Sequence, residues 1–441
     1  MNHEEINRLL QREIEAVTGC TGPTAYALAA AACRKYVTGN ILQYHVFVSP
    51  AYLKMGFGVA TPGTARTGIP VASAAGFIGG DPSLGMQVLS RMTDDDIRRA
   101  EAFCSSISIC VSAAEGETGI YVRDEIVTDR ETVLSVVSRT HDGLSLIRVN
   151  GEDVFTAALS GQEERLEDHP DSLSLDDIFA YADTCTEEET AFLKEHYRIN
   201  LALAEDGIRG GFGLQTGRAL LALSVLPEHP PDLFTNPMRY LPDTVRDRIN
   251  ILVCAASDAR MGGSRLPASA AMGDGNQGIT LLLPIGLYGE AMHKPLPEIT
   301  RAMALGALML FYVKMHIGRA AAMCLCAIAA SAGAAAGIAA LRGLPRLQIE
   351  AAVKNAVSPL AGMLCDGAKN ACALKMSAAA GSALQSVDLA SLGVECGYYD
   401  GICDDTLEDT VRAITKIANE TMDFMDDRMV RTILAKAERE G

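Results

Sequence analysis

Four cysteines in the C-terminal half have the residue type and spacing that most suggest chemistry. Cys324 and Cys326 lie in an apolar stretch, while Cys365 and Cys372 flank the polar segment 366–371. The pattern between them predicts a helix, a Gly-Pro turn and a second helix, and such an antiparallel hairpin brings its two ends together. Thiolates are the usual ligands of iron–sulfur clusters. If the apolar stretch is helical throughout, Cys324 and Cys326 point to opposite sides and only one faces a shared site.

Cys20 is a further candidate. It stands in the segment 18–22 (TGCTG), just before Pro23, a residue that suits the first turn of a helix. Exposed N–H groups and the helix dipole at such an N-terminus favour a thiolate. Cys20 could act as a base, a nucleophile or an extra ligand, and a tight turn with an incidental thiol is the structural alternative. The same alternative applies to the other cysteines, because small buried cysteines are common in cores and no C-x2-C pair is present.

Two glycine-rich loops could hold an anion such as a carboxylate. The loop 61–68 (TPGTARTG) contributes Thr64, Arg66 and Thr67, and the loop 273–278 (GDGNQG) contributes Asn276 and Gln277. Neither loop has the pattern of a nucleotide-binding loop, so nucleotide binding is not supported. Ordinary turn formation is the alternative for both.

Four other residues complete the set of polar candidates. Asp258 and Arg260 stand at the end of a predicted helix, and an Asp and an Arg in such a position often pair across a site. His141 and His316 could each serve a site, although a lone histidine is more often structural.

Composition limits the class of protein. The chain has 441 residues, a net charge of −17, 49% hydrophobic residues and 5% aromatic residues without Trp. An acidic surface repels phosphate backbones, so nucleic acid is not an expected partner. Twelve cysteines and no N-terminal export signal predict a reducing, cytoplasmic location. The stretch 320–341 lacks charge and could span a bilayer, but its Ala, Gly, Ser and Cys residues favour a buried core helix, so no membrane is expected.

The helices and strands that must position these residues can be predicted from the sequence pattern, and together they indicate an α+β fold. Two helices over 4–17 and 23–36 belong to an N-terminal segment 1–39 that is expected to pack on the catalytic domain. Alternating apolar residues then predict a small α+β domain over 40–165 with an antiparallel sheet. A polar linker is predicted at 161–171. The remainder, 172–441, is expected to be a larger all-α domain built around the Ala/Gly-rich central helix.

The motifs resemble those of the L-cysteine desulfidase family, which is related to the alpha chain of iron–sulfur L-serine dehydratases. They occur in the family's order and span nearly the whole chain. The segments that carry the resemblance are 17–21 (VTGCT), 62–64 (PGT) with 66–68 (RTG), 257–263 (SDARMGG), 275–279 (GNQGI), 317–319 (IGR) leading into 326–330 (CAIAA), and 365–369 (CDGAK).

The resemblance implies a [4Fe–4S] cluster held by three cysteines, which match Cys326, Cys365 and Cys372, with one iron left open. Cys324 is the rival for the first of these positions. The TGCT cysteine of the family matches Cys20. The resemblance also implies a smaller α+β domain beside a helical catalytic domain.

Two departures from the family bear on the substrate. Gly22 stands where the family usually has Glu after the TGCT motif. The residues 272–275 (MGDG) stand where Ser-Gly-Ser-Gly is usual. The first removes a carboxylate beside the expected base, and the second alters the loop expected to contact the substrate.

The mechanism implied is β-elimination of L-cysteine to hydrogen sulfide, pyruvate and ammonia. An open iron site supplies a Lewis acid, and Cys20, with His141 as second choice, removes the α-proton. Arg66, Asn276 and Gln277 are the first candidates to hold the carboxylate and ammonium groups. The complete predicted substrate-binding set is Thr21, Thr64, Arg66, Thr67, Asp258, Arg260, Asn276 and Gln277.

Three other functions remain open at this stage. The same cluster could dehydrate L-serine, or Lys369 or Lys375 could form a Schiff base with pyridoxal phosphate. The altered position Gly22 also fits a non-catalytic protein that senses cysteine or iron. The expected partner is a small amino acid, and a homodimer is one option for the oligomeric state.

Overall fold

The computed structural model describes residues 1–64, 66–157, 169–318, 321–422 and 424–437 of the chain. Of the predicted linker 161–171, residues 161–168 lie outside the described residues. Arg319, from the motif 317–319, also lies outside them.

The N-terminal segment joins two parts of the protein. It forms helix α1 (His3–Glu13), strand β1 (Ile14–Thr18) and helix α2 (Thr21–Arg34). The helix predicted over 4–17 was wrong in its last turn, because β1 pairs antiparallel with strand β8 (Pro267–Ala271). This pairing satisfies backbone groups that a longer helix would have used internally. The second helix begins two residues earlier than predicted.

A six-stranded sheet lies at the centre of residues 41–156. Its strands are β2 (Ile41–Val48), β3 (Ile109–Ala113), β4 (Tyr121–Thr128), β5 (Thr132–Ser138), β6 (Leu144–Val149) and β7 (Glu152–Thr156). Their order is β3-β2-β4-β5-β6-β7, and all neighbours are antiparallel except β2 and β3. A parallel pair needs a crossover connection, which three helices supply: α3 (Pro50–Gly56), α4 (Ile69–Gly79) and α5 (Asp94–Ser106). The α+β class is confirmed, with one parallel pair in an otherwise antiparallel sheet.

The rest of the chain is helical apart from β8. Its helices are α6 (Leu175–Thr184), α7 (Glu187–Thr190), α8 (Leu193–Gly210), α9 (Thr216–Ser224), α10 (Val245–Met261), α11 (Gly275–Ala291), α12 (Leu296–Ile317), α13 (Ile328–Leu341), α14 (Arg346–Val357), α15 (Cys372–Ser391), α16 (Leu407–Lys416) and α17 (Met425–Ala437). The predicted helix over 320–341 begins only at Ile328, so α13 has 14 residues, fewer than a membrane span needs. In the described part of the chain, α12 is the one helix long and apolar enough to cross a bilayer, and 78% of its apolar window is buried inside the protein.

The described residues form two large hydrophobic cores. One contains α1, β1 and the helices from α6 onward, while the other contains α2, α4, α5 and the buried face of the sheet. The chain passes from the first core to the second between β1 and α2, at the segment 18–21. The predicted domain limits of 1–39, 40–165 and 172–441 stay predictions. The structure shows that the N-terminal segment contributes to both cores.

Helices α12 and α13 approach each other closely through two glycines. A Cβ atom on Gly306 would lie 2.6 Å from the carbonyl oxygen of Gly333, which is closer than real Cβ contacts come. We therefore expect Gly306→Ala to lower the free energy of unfolding by about 3 kcal/mol, because the two helices must move apart. Denaturant unfolding monitored by circular dichroism measures the effect.

Gly381 in α15 provides the matched control. A Cβ atom there meets nothing within 4 Å, so Gly381→Ala is expected to stabilise the protein by about 0.5–1 kcal/mol through helix propensity alone. Equal stabilities of the two variants would contradict the close contact between α12 and α13.

Candidate active site

Four cysteine thiols lie together near the starts of α13 and α15. The backbone N–H of Cys324 donates to the carbonyl of Met363 (2.8 Å), and that of Cys365 donates to the carbonyl of Ala322 (2.6 Å). These two bonds join the ends of the α13–α14 hairpin, as its predicted topology requires. Cys372 is the first residue of α15, and its Sγ lies 3.7 Å from the carbonyl oxygen of Gly367.

Cys324 and Cys326 both face this cluster. They were predicted to lie within the apolar helix, but they occupy the turn before α13 begins at Ile328. A hydrogen bond between Cys324 and Cys326 lowers the pKa of the Cys324 thiol and raises the pKa of Cys326. The expectation that helix geometry turns one of them away therefore does not apply.

Lysine side chains surround these thiols. Lys54 on α3 is only 3% exposed, and its Nζ contacts Oδ1 of Asp426 (2.6 Å). Lys369 and Lys375 both bond to the carboxylate of Asp366. Burial raises the pKa of Cys365, whereas the charges of Lys54 and Lys369 oppose that rise. Nearby positive charge lowers the cost of forming a thiolate, but the pKa of Cys326, Cys365 and Cys372 remains raised.

Asp274 links the cysteines to the glycine-rich loop. As the N-cap residue of α11, it accepts bonds through Oδ1 from the backbone N–H groups of Asn276 (2.8 Å) and Gln277 (3.4 Å). Its Oδ2 accepts from Cys326 Sγ (3.4 Å) and from Gln277 Nε2 (3.2 Å). Burial works against its ionisation, but Arg260 and Lys314 outweigh burial and hold the pKa of Asp274 below its usual value. The site therefore contains a half-buried carboxylate that touches one of the thiols.

Several buried polar atoms beside Asp274 have no hydrogen-bond partner in the described part of the chain. They are Oγ of Ser257, Nε and Nη2 of Arg260, Oδ1 of Asn276 and Oε1 of Gln277. Arg260 is only 2% exposed, and its Nη1 lies 3.8 Å from Oδ1 of Asp274. Buried polar groups without partners are costly, so this set is suited to a polar ligand with both donors and acceptors.

Cys20 lies beside the same cluster of thiols. It is the N-cap residue of α2 and makes no side-chain cap bond. Together with Val59, Met261 and Ala368 it forms a small buried apolar cluster, against which Cys372 packs. Met261 in turn lies 3.8 Å from Nδ2 of Asn276. The TGCT segment, the end of α10, the loop before α11 and the segment before α15 thus meet at one place.

A buried tyrosine connects Cys20 with His141. The Tyr52 hydroxyl is hydrogen-bonded to Nδ1 of His141, and the Tyr52 side chain is fully buried. Burial raises the pKa of Tyr52, and the nearby charge of Cys20 raises it further. His141 is therefore linked to the site through Tyr52 and does not reach Cys20 directly by this contact.

The remaining predicted residues have mainly structural contacts. Thr21 is buried in the first turn of α2, and the Thr64 hydroxyl donates to the carbonyls of Thr61 and Arg66. The Arg66 and Thr67 side chains are exposed, and the charge of Arg66 opposes the rise that burial causes in the pKa of Cys104.

Asp258 faces away from Arg260. Its Oδ2 accepts from the backbone N–H of Gly217 (3.0 Å) at the start of α9. Residues two apart on a helix point in nearly opposite directions. Ser257, Arg260 and Met261 are spaced three and four apart instead, so they share the face of α10 that meets the site.

Asp274, Lys314 and Tyr52 are among the residues at the site that were not predicted. Asp274 could have been found, because Asp directly before a helix is a typical N-cap. Lys314 is 1% exposed within the apolar helix α12, and its Nζ donates to the carbonyl of Met272 (2.9 Å); an isolated charge in such a helix is a usable signal. Nothing in the sequence around Tyr52 marks it.

The donor set fits an iron–sulfur cluster better than a single metal ion. In the described residues, no three side chains of His, Cys, Asp or Glu converge closely enough to hold one ion. A cluster spreads its thiolate ligands over several iron atoms, so it needs a wider arrangement of cysteines. Four thiols on three adjacent segments, with lysines around them, provide such an arrangement.

Comparison with known proteins places the chain in a family. Residues 83–431 match the family described as Serine dehydratase alpha chain, and the chain belongs to this family. It is 34% identical to the UPF0597 protein of Desulfotalea psychrophila over 441 residues, covering 98% of both chains. It is also 34% identical to a UPF0597 protein of Desulforapulum autotrophicum, covering 98% of this chain and 97% of that protein. A UPF0597 protein of Clostridioides difficile shares 29% identity, covering 95% of this chain and 96% of its own.

These matches confirm the relation to serine dehydratase alpha chains that the motifs predicted. The family description is that of a lyase, which agrees with the predicted class of enzyme. The names of the relatives state no substrate.

Proposed function

We propose that the protein is an iron–sulfur lyase that eliminates hydrogen sulfide from L-cysteine to give pyruvate and ammonia. The proposal rests on one observation. Asp274 lies between the four thiols and a set of buried polar atoms that have no hydrogen-bond partner in the described residues. The first group suits a cluster, and the second suits the charged ends of an amino acid. Membership of the serine dehydratase alpha-chain family supports the same class of reaction.

Cys326, Cys365 and Cys372 would hold a [4Fe–4S] cluster, with Cys324 as the alternative to Cys326. When bound, such a cluster supplies a Lewis acid beside the substrate. The lysines around the thiols offset the negative charge of thiolate ligands. The pairing of Lys369 and Lys375 with Asp366 argues against a Schiff-base role, which needs a neutral amine.

Arg260 and its neighbours would orient the substrate. Its free Nε and Nη2 donors match the two oxygens of a carboxylate, which a guanidinium binds in bidentate fashion. Asp274, with the free acceptors on Asn276 and Gln277, would receive the ammonium group. This arrangement moves the carboxylate subsite from Arg66, which is exposed, to Arg260.

Cys20 would remove the α-proton through Sγ. Cys20 belongs to the small apolar cluster against which Cys372 packs, so its Sγ would face a substrate bound next to the proposed iron–sulfur cluster. Tyr52, which is hydrogen-bonded to His141, lies close to Cys20 and would position it. A Cβ atom on Gly22 would meet Met55 at 3.4 Å, an ordinary contact, so this position does not require glycine.

The apolar lining favours a thiol over a hydroxyl as the leaving group. Val59, Met261 and Ala368 offer no hydrogen-bond donor from their side chains, and a hydroxyl placed against them would lack the partner it needs. A thiol tolerates such surroundings, and the Met261 sulfur is polarisable. L-serine dehydration remains the second candidate because the family match favours it.

The test compares the two substrates on one preparation. Anaerobically purified protein is reconstituted with iron and sulfide, and sulfide and pyruvate release are measured with L-cysteine and with L-serine. We expect kcat/KM to be at least about tenfold higher for L-cysteine, equivalent to about 1.4 kcal/mol. A preference for L-serine would overturn the substrate but keep the lyase. Tight cysteine binding without turnover would instead indicate a sensor.

A further inference from the structure

Two cysteines outside the candidate active site are in direct contact. Cys396 and Cys403 lie in the loop between α15 and α16, and their Sγ atoms are 2.9 Å apart. A disulfide bond is about 2.05 Å long, so the two sulfurs need to approach by less than about 1 Å to form one. Cys403 is 4% exposed, while Cys396 is half-buried.

Two residues of α14 hold both ends of this loop. Lys354 is 2% exposed, and its Nζ donates to the carbonyls of Asp404 (3.3 Å) and Asp405 (2.9 Å). Asn355 accepts through Oδ1 from the backbone N–H of Cys396 (3.0 Å) and donates through Nδ2 to the carbonyl of Val394 (2.8 Å). Helix α14 thus anchors the chain on each side of the two thiols.

The loop between the thiols is closed by its own turn. The N–H of Gly397 donates to Oδ2 of Asp400 (2.8 Å), and the N–H of Asp400 donates to the carbonyl of Gly397 (2.9 Å). This turn sends the chain back toward its start. The contact between the sulfurs is therefore a consequence of several independent hydrogen bonds.

We propose that Cys396 and Cys403 form a reversible disulfide and are a redox modification site of this protein. The oxidant is a low-molecular-weight disulfide. Cys396, the more exposed thiol, displaces one small thiol and forms a mixed disulfide; Cys403 then attacks Cys396 Sγ and displaces the second. The two cysteine protons leave with the two small thiols, and two electrons pass to the small disulfide.

The electrostatics of the pair support this chemistry. A hydrogen bond from Cys396 lowers the pKa of Cys403 while both thiols are reduced. Once Cys396 carries the small thiol this bond is lost, and the Lys354 ammonium group still lowers that pKa against the effect of burial. Only the thiolate is the nucleophile in thiol–disulfide exchange. Cys403 is therefore the attacking sulfur in the closing step. The site does not depend on the proposed lyase function.

The arrangement of tryptic sites allows a direct test. Cleavage after Lys375 and Arg412 releases the peptide 376–412, which contains Cys396 and Cys403 and no other cysteine. The folded protein is equilibrated anaerobically with mixtures of reduced and oxidised glutathione, alkylated and digested. We expect this peptide to lose two hydrogen atoms and both alkylation sites as oxidised glutathione increases, and to recover them on reduction. Cleavage after Tyr399 should then give two fragments that stay joined until reduced.

Cys396→Ser and Cys403→Ser serve as the test variants, and Cys110→Ser, at an exposed position on β3, is the matched control. Each test variant should keep a single thiol that is alkylated or glutathionylated and never lose two hydrogen atoms, while the control should behave as wild type. Retention of two alkylated cysteines in peptide 376–412 at every glutathione ratio would overturn the proposal. Two stable glutathione adducts, or a metal ion recovered with the pair, would also overturn it. The wild-type peptide alone decides the matter if the variants do not fold.

Discussion

Replacing Cys365 by serine is expected to leave the protein without the proposed iron–sulfur cluster and to lower the proposed release of sulfide from L-cysteine at least about 1000-fold. The Lewis acid of a bound metal centre contributes several kcal/mol to catalysis, and each 1.36 kcal/mol corresponds to a factor of ten in rate. Serine keeps the size of the side chain but replaces the soft thiolate that clusters require. The same loss is expected for Cys326→Ser and Cys372→Ser.

Iron and acid-labile sulfide are measured on anaerobically purified protein, together with the visible absorption of the cluster. Cys110→Ser is the control for the loss of a cysteine as such, because Cys110 is exposed on β3 away from the four thiols. The melting temperature of each cluster-free variant should match that of cluster-free wild type. This comparison separates loss of the ligand from loss of the fold.

Cys324→Ser decides between the two neighbouring thiols. Since Cys324 and Cys326 are hydrogen-bonded to each other, the structure brings both to the site. We expect Cys324→Ser to retain the cluster and Cys326→Ser to lose it. The reverse result would make Cys324 the ligand instead of Cys326. Full cluster content in the Cys326, Cys365 and Cys372 variants would contradict the whole ligand assignment.

Replacing Arg260 by lysine is expected to reduce kcat/KM for L-cysteine by about 100- to 1000-fold, or about 3–4 kcal/mol. Lysine keeps the positive charge beside Asp274 but cannot form the planar pair of hydrogen bonds that a guanidinium offers a carboxylate. Because Arg260 is nearly fully buried and two of its nitrogens have no partner in the described residues, water cannot easily replace the missing contact.

Arg66→Lys is the matched control for this prediction. Arg66 is the other arginine of the predicted substrate-binding set, and its side chain is exposed, so we expect its replacement to change kcat/KM by less than about twofold. A second readout is the melting temperature in the presence of L-alanine, which has the carboxylate and ammonium groups but no leaving group. Binding should raise it for wild type and Arg66→Lys but not for Arg260→Lys. A large loss of kcat/KM for Arg66→Lys alone would indicate that the loop 61–68, and not Arg260, binds the substrate carboxylate.

The sequence alone determined the class of fold and the hairpin that brings two cysteine-bearing segments together. Periodicity and glycine-rich breaks are local properties, so the helix over 23–36 and the presence of a sheet within 40–165 could be predicted. The spacing of Cys326 and Cys365 also fixed that they sit at the two ends of one helical hairpin. The order of several short motifs pointed to a relation with serine dehydratase alpha chains, and the comparisons confirmed that relation.

The tertiary structure decided which side chains share the site. Ile14–Thr18 is a strand only because β8 lies beside it, and Cys324 faces the same point as Cys326 only because α13 begins at Ile328. Partners such as these are distant in sequence, and no local pattern encodes them. Arg260 and Asp258 show the same limit: both had the residue type for a substrate-binding role, but packing against α9 and α11 turns one away and leaves the other buried beside Asp274.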